Sequence, residues 1–195
     1  MSNQSIQSET ANEKIIIDGE TYIFNFEYGI NLGDDLQAKI SIPLVHHYSG
    51  FMDRSIEQWH DGLGLSNGRR QDFSSNRLHY ECSRDGVTQI RQLQSTQGLG
   101  DINLRLSYLA KQRTNNEYGL SYNLDVKIPT GDPDKLTGNG AIDWGLSIHG
   151  INKSLHQNHQ LSLYGGLGIQ IMGDTEILDI KHRKYNTMAY TGVHW

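Results

Sequence analysis

Nine histidines, His46, His47, His60, His79, His149, His156, His159, His182 and His194, are the first residues to test for chemistry. A metal site needs them spaced with one another, or with carboxylates, so that three or four ligands converge. No such spacing occurs. His156 and His159 fall in a polar turn, and the set reads as surface histidines. Ser147 and His149 stand two apart, on one face of a strand, with Asp143 further along. These are the residue types of a nucleophile, its base and an orienting carboxylate. The polar face of any alternating strand has the same composition, so the stronger reading makes them part of a wet surface. Gly98-Leu99-Gly100-Asp101 and Gly131-Asp132-Pro133-Asp134 imitate phosphate or calcium loops. No Gly-Lys-Ser/Thr follows them, and Asp132, Asp134 and Asn139 lack the twelve-position frame with its closing Glu, so both are turns. Cys82 is the single cysteine, which excludes an internal disulfide and any multi-cysteine metal site. No residue is given a catalytic role, and no metal or cofactor is expected.

The elements that would position these residues alternate with period two. Tyr22, Phe24, Phe26, Tyr28 and Ile30 share one face of a first strand, and Leu36, Ala38, Ile40, Ile42 and Leu44 one face of a second, across the turn at 31–35. The pattern returns at Ile102–Tyr108, Tyr118–Ile128, Ile142–His149 and Leu161–Ile171. A last aromatic strand, Thr187–Trp195, has ambiguous faces. Seven such strands are visible.

Composition supports this grammar. Glycine at 21 against proline at 3, with 10 tyrosines, suits antiparallel β structure better than helix. The net charge of -5 leaves no basic surplus for a phosphate backbone, so nucleic acid is excluded as a partner. No apolar run reaches the roughly 20 residues of a membrane-spanning helix. Residues 1–14 are polar and aperiodic and read as a disordered leader ahead of a barrel domain at 15–195. They carry no signal-peptide pattern, so a processed or truncated chain is expected.

Short turns at 31–35, 111–116 and 152–158 oppose longer connections at 46–100, 129–140 and 173–186, the layout of an outer-membrane barrel. The expected fold is therefore all-β: an antiparallel up-and-down transmembrane β-barrel, incomplete at about seven spanning strands. Its long insert at 46–100 is expected as an extracellular cap. Within the cap, Met52–Gly62 predicts a short helix with Asp53 as N-cap, and Arg77–Arg84 with Val87–Leu93 a hairpin around Asp85-Gly86. Lys39, Arg105, Asp125, Lys127 and His149 would line a lumen. Tyr22, Tyr28, Tyr108, Tyr118, Trp144 and Tyr164 would form the interfacial aromatic belt. The partners expected are outer-membrane lipid and small solutes, with passive passage or surface binding as the function. Two rivals remain: a soluble β-sandwich or lipocalin-like barrel holding an apolar ligand, and an outer-membrane hydrolase built on Ser147 and His149.

Phe51–Arg69, Arg77–Ile90, Gly98–Tyr108, Lys127–Trp144 and Leu163–Gly168 come in an order that resembles an uncharacterised proteobacterial family of outer-membrane β-barrels, domain of unknown function 3187. The Gly-Leu-Gly-Asp and Pro-Thr-Gly-Asp pieces are also similar to MetA-type barrels linked to the degradation of aromatics. The resemblance implies an outer-membrane location and a barrel fold, and brings no substrate or catalytic residue with it.

Overall fold

Period-two alternation becomes strand in every predicted segment. The computed structural model describes residues 2–67, 75–111, 118–152, 162–175 and 184–194. His156, His159, His182, Trp195 and most of the turns expected at 111–116 and 152–158 lie outside them. Among the described residues the fold is an all-β antiparallel sheet of 11 strands with one α-helix. The strands are β1 (Ser2–Glu9), β2 (Glu13–Asn31), β3 (Leu36–Tyr48), β4 (His79–Arg84), β5 (Val87–Gln92), β6 (Thr96–Leu99), β7 (Ile102–Lys111), β8 (Tyr118–Ile128), β9 (Asp143–Asn152), β10 (Ser162–Ile171) and β11 (Tyr185–His194). Their order is β11-β10-β9-β8-β7-β3-β2-β4-β5, with β1 added to β2 and β6 to β3. From β7 to β11 each strand pairs with the next in sequence, an up-and-down meander. The sheet is not closed into a barrel among the described residues.

The chain divides into two compact units. The first contains Met1–Asn25, Pro43–Gly100 and Gly131–Asn139. Residues 2–9, expected as a disordered leader, are strand β1, paired antiparallel with β2 from Ser2↔Thr21 to Glu9↔Lys14. The composition is polar, but a neighbouring strand supplies the backbone partners that the segment cannot find alone. The insert at 46–100 therefore shares its unit with residues 2–25 and 131–139. The predicted helix is present as α1 (Asp53–Leu63), closed by left-handed Gly64. Met52, not Asp53, occupies the N-cap position and makes no side-chain cap. Asp53 instead accepts from Asn3 Nδ2 at 2.9 Å and from the Asn76 backbone N–H at 2.7 Å. The predicted hairpin is β4–β5, and Asp85 and Gly86 both have positive φ (50° and 78°), as a two-residue turn of the favoured hand requires.

The interior of this unit is as polar as it is apolar. Ile16, Val45, Leu78 and Tyr80 are buried beside Asp18, Glu20, His47 and Glu81. Buried charge is tolerable only when it is paired or bonded, and each of these groups is. Arg77 binds Asp18 Oδ2 through Nε and Nη2, both at 2.9 Å. Glu20, only 1 % exposed, accepts from Tyr22, Asn3 and the backbone N–H groups of Phe51 and Met52. Burial pushes its carboxyl upward, but these donors, led by Tyr22, outweigh it and hold it below the ordinary carboxylate value. A Cβ on Gly50, whose φ is 77°, would overlap the Glu20 carboxylate, so that position needs glycine.

The second unit contains Phe26–Ile42, Asp101–Thr130 and Gly140–Trp195. It holds the seven strands predicted by alternation: the distal part of β2, the proximal part of β3, and β7 to β11. Registers carry like faces into line. One row runs Ala38↔Leu106↔Leu124↔Leu146↔Ile169, and its neighbour Ile40↔Leu104↔Val126↔Trp144↔Ile171. The apolar side chains lie open: Leu106 is 40 % exposed, Leu146 55 %, Leu167 65 % and Tyr28 68 %.

Candidate functional site

The other face of the second unit is polar across its width. Because strand residues alternate sides, the register Lys39↔Arg105↔Asp125 places those three predicted residues side by side. Lys127 and His149 fall on the same face, on β8 and β9. All five residues read from sequence as lumen lining are thus on one surface.

Charges on that surface are matched to one another. Lys39 Nζ lies 2.7 Å from Glu27 Oε2, and Arg105 Nε 2.6 Å from Asp125 Oδ1. Lys127 stands between Asp101 (3.3 Å) and Asp143 (2.9 Å), and the other Asp143 oxygen accepts from the Gly173 backbone N–H at 3.0 Å. The exposed pairs contribute little to stability. The Lys127 trio is mostly buried, with side-chain exposures of 17 %, 10 % and 9 %, and removing its cation would strand two carboxylates.

Neutral hydrogen bonds form a second row. Ser107 Oγ donates to Asn123 Oδ1 at 2.7 Å, and Asn123 Nδ2 to Ser147 Oγ at 3.4 Å. Ser147 Oγ is 2.9 Å from His149 Nε2, and His149 Nδ1 is 2.5 Å from the Tyr190 hydroxyl. The Ser147–His149 contact that the rival hydrolase reading would need is therefore present, but its third member is Tyr190. Asp143 is engaged with Lys127 and Gly173 instead. The backbone N–H groups around Ser147 are engaged in the β8–β9–β10 ladder, whereas an acyl-transfer site needs N–H donors aimed at an oxyanion.

Glycines make room on this face. A Cβ on Gly166 would come 2.8 Å from both His149 Nδ1 and the Tyr190 ring. A Cβ on Gly192 would overlap the Tyr164 ring. Tyr164 and Tyr190 have ring centroids 6.3 Å apart. Tyr164 was expected in the aromatic belt, but its register, Tyr164↔Ile151 and Tyr164↔Gly192, puts it on the polar face. The physical reason is the pleat: Tyr164 shares the parity of Gly166, Gly168 and Gln170, and Gly192 opposite leaves room for its ring.

The remaining belt residues divide differently. Tyr108 and Tyr122 stack on the apolar face at 6.4 Å, with Tyr118 on the same side of β8 and Trp144 near the opposite strand ends. Tyr28 lines an apolar groove with Ile40, Leu104 and Leu124. Tyr22 lies in the first unit, bonded to Glu20. Sequence reading missed Asp101, Ser107, Asn123 and Tyr190. Ser107 and Asn123 sit at alternate positions beside Arg105 and Asp125, so the alternation contained them, whereas Asp101 precedes β7 and was read as part of a turn. Tyr190 was hidden by the unreadable faces of the last strand.

The two Gly-Asp pieces serve as turns. Asp132 accepts from the Asp134 backbone N–H at 3.0 Å and pairs with Lys135 at 3.0 Å. A Cβ on Gly131 would come 2.5 Å from Gly138 Cα, so the loop closes on itself there. Gly98 and Gly100 lie against Thr137 of that loop, which explains why both pieces are glycine-rich.

Comparison with known proteins gives one family. The family model described as Protein of unknown function (DUF3187) matches residues 2–195, and the chain belongs to that family. No curated protein and no solved structure matches the chain.

Proposed function

We propose that this member of the DUF3187 family is an outer-membrane β-barrel protein that passes or binds small solutes and carries out no catalysis. The observation that carries this reading is the two-faced ladder of the second unit. One face is a continuous exposed apolar surface in register over β3 and β7 to β10. The other is a matched network of charges and amides. Soluble monomers rarely leave an apolar surface of that extent uncovered, whereas a barrel strand in lipid requires it. The strand lengths agree: β8 has 11 residues, and β7, β9, β10 and β11 have 10 each. A strand tilted across the hydrocarbon layer needs about 9–11. A soluble ligand-binding barrel would instead bury these rows. The buried apolar residues of the described chain are Ile16, Val45, Leu78, Tyr80 and Ala141, none of them in the apolar rows.

In this reading the partners are lipid and small polar solutes. The test is heat-modifiability on a detergent gel after refolding into micelles. A compact unheated band that shifts on boiling supports a barrel. A chain that stays monodisperse and folded without detergent, and shows no shift, would end the membrane reading.

A further inference from the structure

We infer that the polar face carries a binding groove for a neutral, polyhydroxylated solute, a small sugar being the chemical class, centred on Gly145, Gln170 and Asn186. The inference rests on the reading of this face as wet. One row across the ladder runs Arg105↔Asp125↔Gly145↔Gln170↔Asn186. At Gly145, and at Gly168 in the adjoining row, the strands project no side chain. What results is an open groove of about 320 Å3 floored by those glycines, near the lower end of small-ligand pockets. Met188 closes one side with apolar surface.

The ligand class follows from which polar groups are already engaged. Asp125 is held by Arg105, Asp143 by Lys127 and Gly173, and Lys127 by two carboxylates. A cation entering the groove finds its carboxylates neutralised, and an anion finds both cations taken. Among the described residues, the side-chain amides of Gln170 and Asn186 line the groove, face each other across β10 and β11, and have no protein partner. Each amide offers both donors and an acceptor. A hydroxyl is donor and acceptor at once, so two adjacent amides suit neighbouring hydroxyls on one small ring. A charged solute gains no new ion pair here and still loses hydration. The apolar edge at Met188 suits the C–H face of such a ring.

The test compares three probes that share one pyranose ring, glucose, glucuronate and protonated glucosamine, by saturation-transfer difference NMR on the full chain refolded in micelles. Glucose is expected to show ring-proton transfer, with both charged analogues several-fold weaker. Gln170→Leu with Asn186→Leu removes the two free amides from exposed positions and is expected to weaken the glucose signal by about tenfold. The heat-dependent gel shift should be retained. Transfer that is equal in the variant, or as strong for either charged probe, would overturn the groove while a retained gel shift leaves the barrel standing. Loss of the gel shift in the wild type counts against the barrel alone, because the glucose-to-glucuronate ratio is read on the same folded face in either case.

Discussion

The Nε2 atom of His47 lies 3.0 Å from the carbonyl oxygen of Leu136. A carbonyl only accepts, so the ring proton sits on Nε2, and Nδ1 accepts from the Thr21 hydroxyl at 2.9 Å. Thr21 Oγ1 is in turn 3.2 Å from the Tyr80 hydroxyl. Leu136 has a left-handed φ of 56°, and the imidazole holds its carbonyl in that uncommon conformation. His47→Ala is expected to cost about 2 kcal/mol, since a part-buried acceptor loses its donor and the buried imidazole its packing. Leu136→Gly is expected to stay within about 0.5 kcal/mol, because relief of strain is offset by a looser unfolded chain. Urea unfolding followed by tyrosine fluorescence measures both. An unchanged midpoint in His47→Ala would show that the tether contributes nothing.

Glu81 provides a pH-dependent contribution in the same unit. Its carboxylate is 3.0 Å from His79 Nε2 and 2.9 Å from Lys14 Nζ. The hydrogen bond from His79, and then that from Lys14, hold its pKa down at about 2, against an ordinary value of 4.5. A carboxyl whose folded pKa is depressed stabilises the fold above its unfolded value and loses that contribution as pH falls through the folded one. Stability should therefore decline between about pH 4.5 and 2 in the wild type. Glu81→Gln should start lower at neutral pH and decline less across that interval. Urea midpoints taken at steps from pH 7 to 2 would sink the idea if the two curves ran parallel.

Tyr164 and Gly192 predict a coupled pair. They are directly opposed on β10 and β11, and the Tyr164 ring occupies the space of the missing Cβ. Gly192→Ala forces the ring out and should cost about 1–3 kcal/mol, as overpacking does. Tyr164→Ala removes the obstacle, so the double variant should be more stable than the sum of the singles by about 1 kcal/mol. A double-mutant cycle in urea that closes additively would show that the ring does not need the glycine.

What alternation could and could not reveal is visible in particular residues. Arg105, Asp125 and Lys127 were legible because strict period two fixes the face of each residue relative to its neighbours, and pairing merely lines the faces up. The helix Asp53–Leu63 and the hairpin around Asp85-Gly86 carried local signals of apolar spacing and turn chemistry. Residues 2–9 were misread because their strand depends on a partner, β2, rather than on their own polar composition. Tyr164 was misplaced because an aromatic residue near a strand end was taken as lipid-facing, whereas its parity with Gly166, Gly168 and Gln170 sets it on the polar side. The buried cradle of Glu20 had no signal at all: its donors come from residues 3, 22, 51 and 52.

The two faces of β9 and β10 predict opposite responses to the same charge. Leu146 is 55 % exposed and stands in the apolar row between Leu124 and Ile169. Gln170 lies on the polar face, opposite Gly145 and Asn186. If the apolar face meets hydrocarbon, Leu146→Arg near mid-strand should cost about 2–4 kcal/mol in folding into phospholipid vesicles. Gln170→Arg, pointing into water, should stay within about 0.5 kcal/mol. In a water-soluble fold the order would change: an arginine replacing an exposed leucine would be nearly neutral and would improve solubility. Urea-dependent folding equilibria in vesicles for the two variants distinguish the cases. Equal costs would mean that lipid does not cover the Leu146 face, because water tolerates arginine on both sides of a sheet and hydrocarbon on neither.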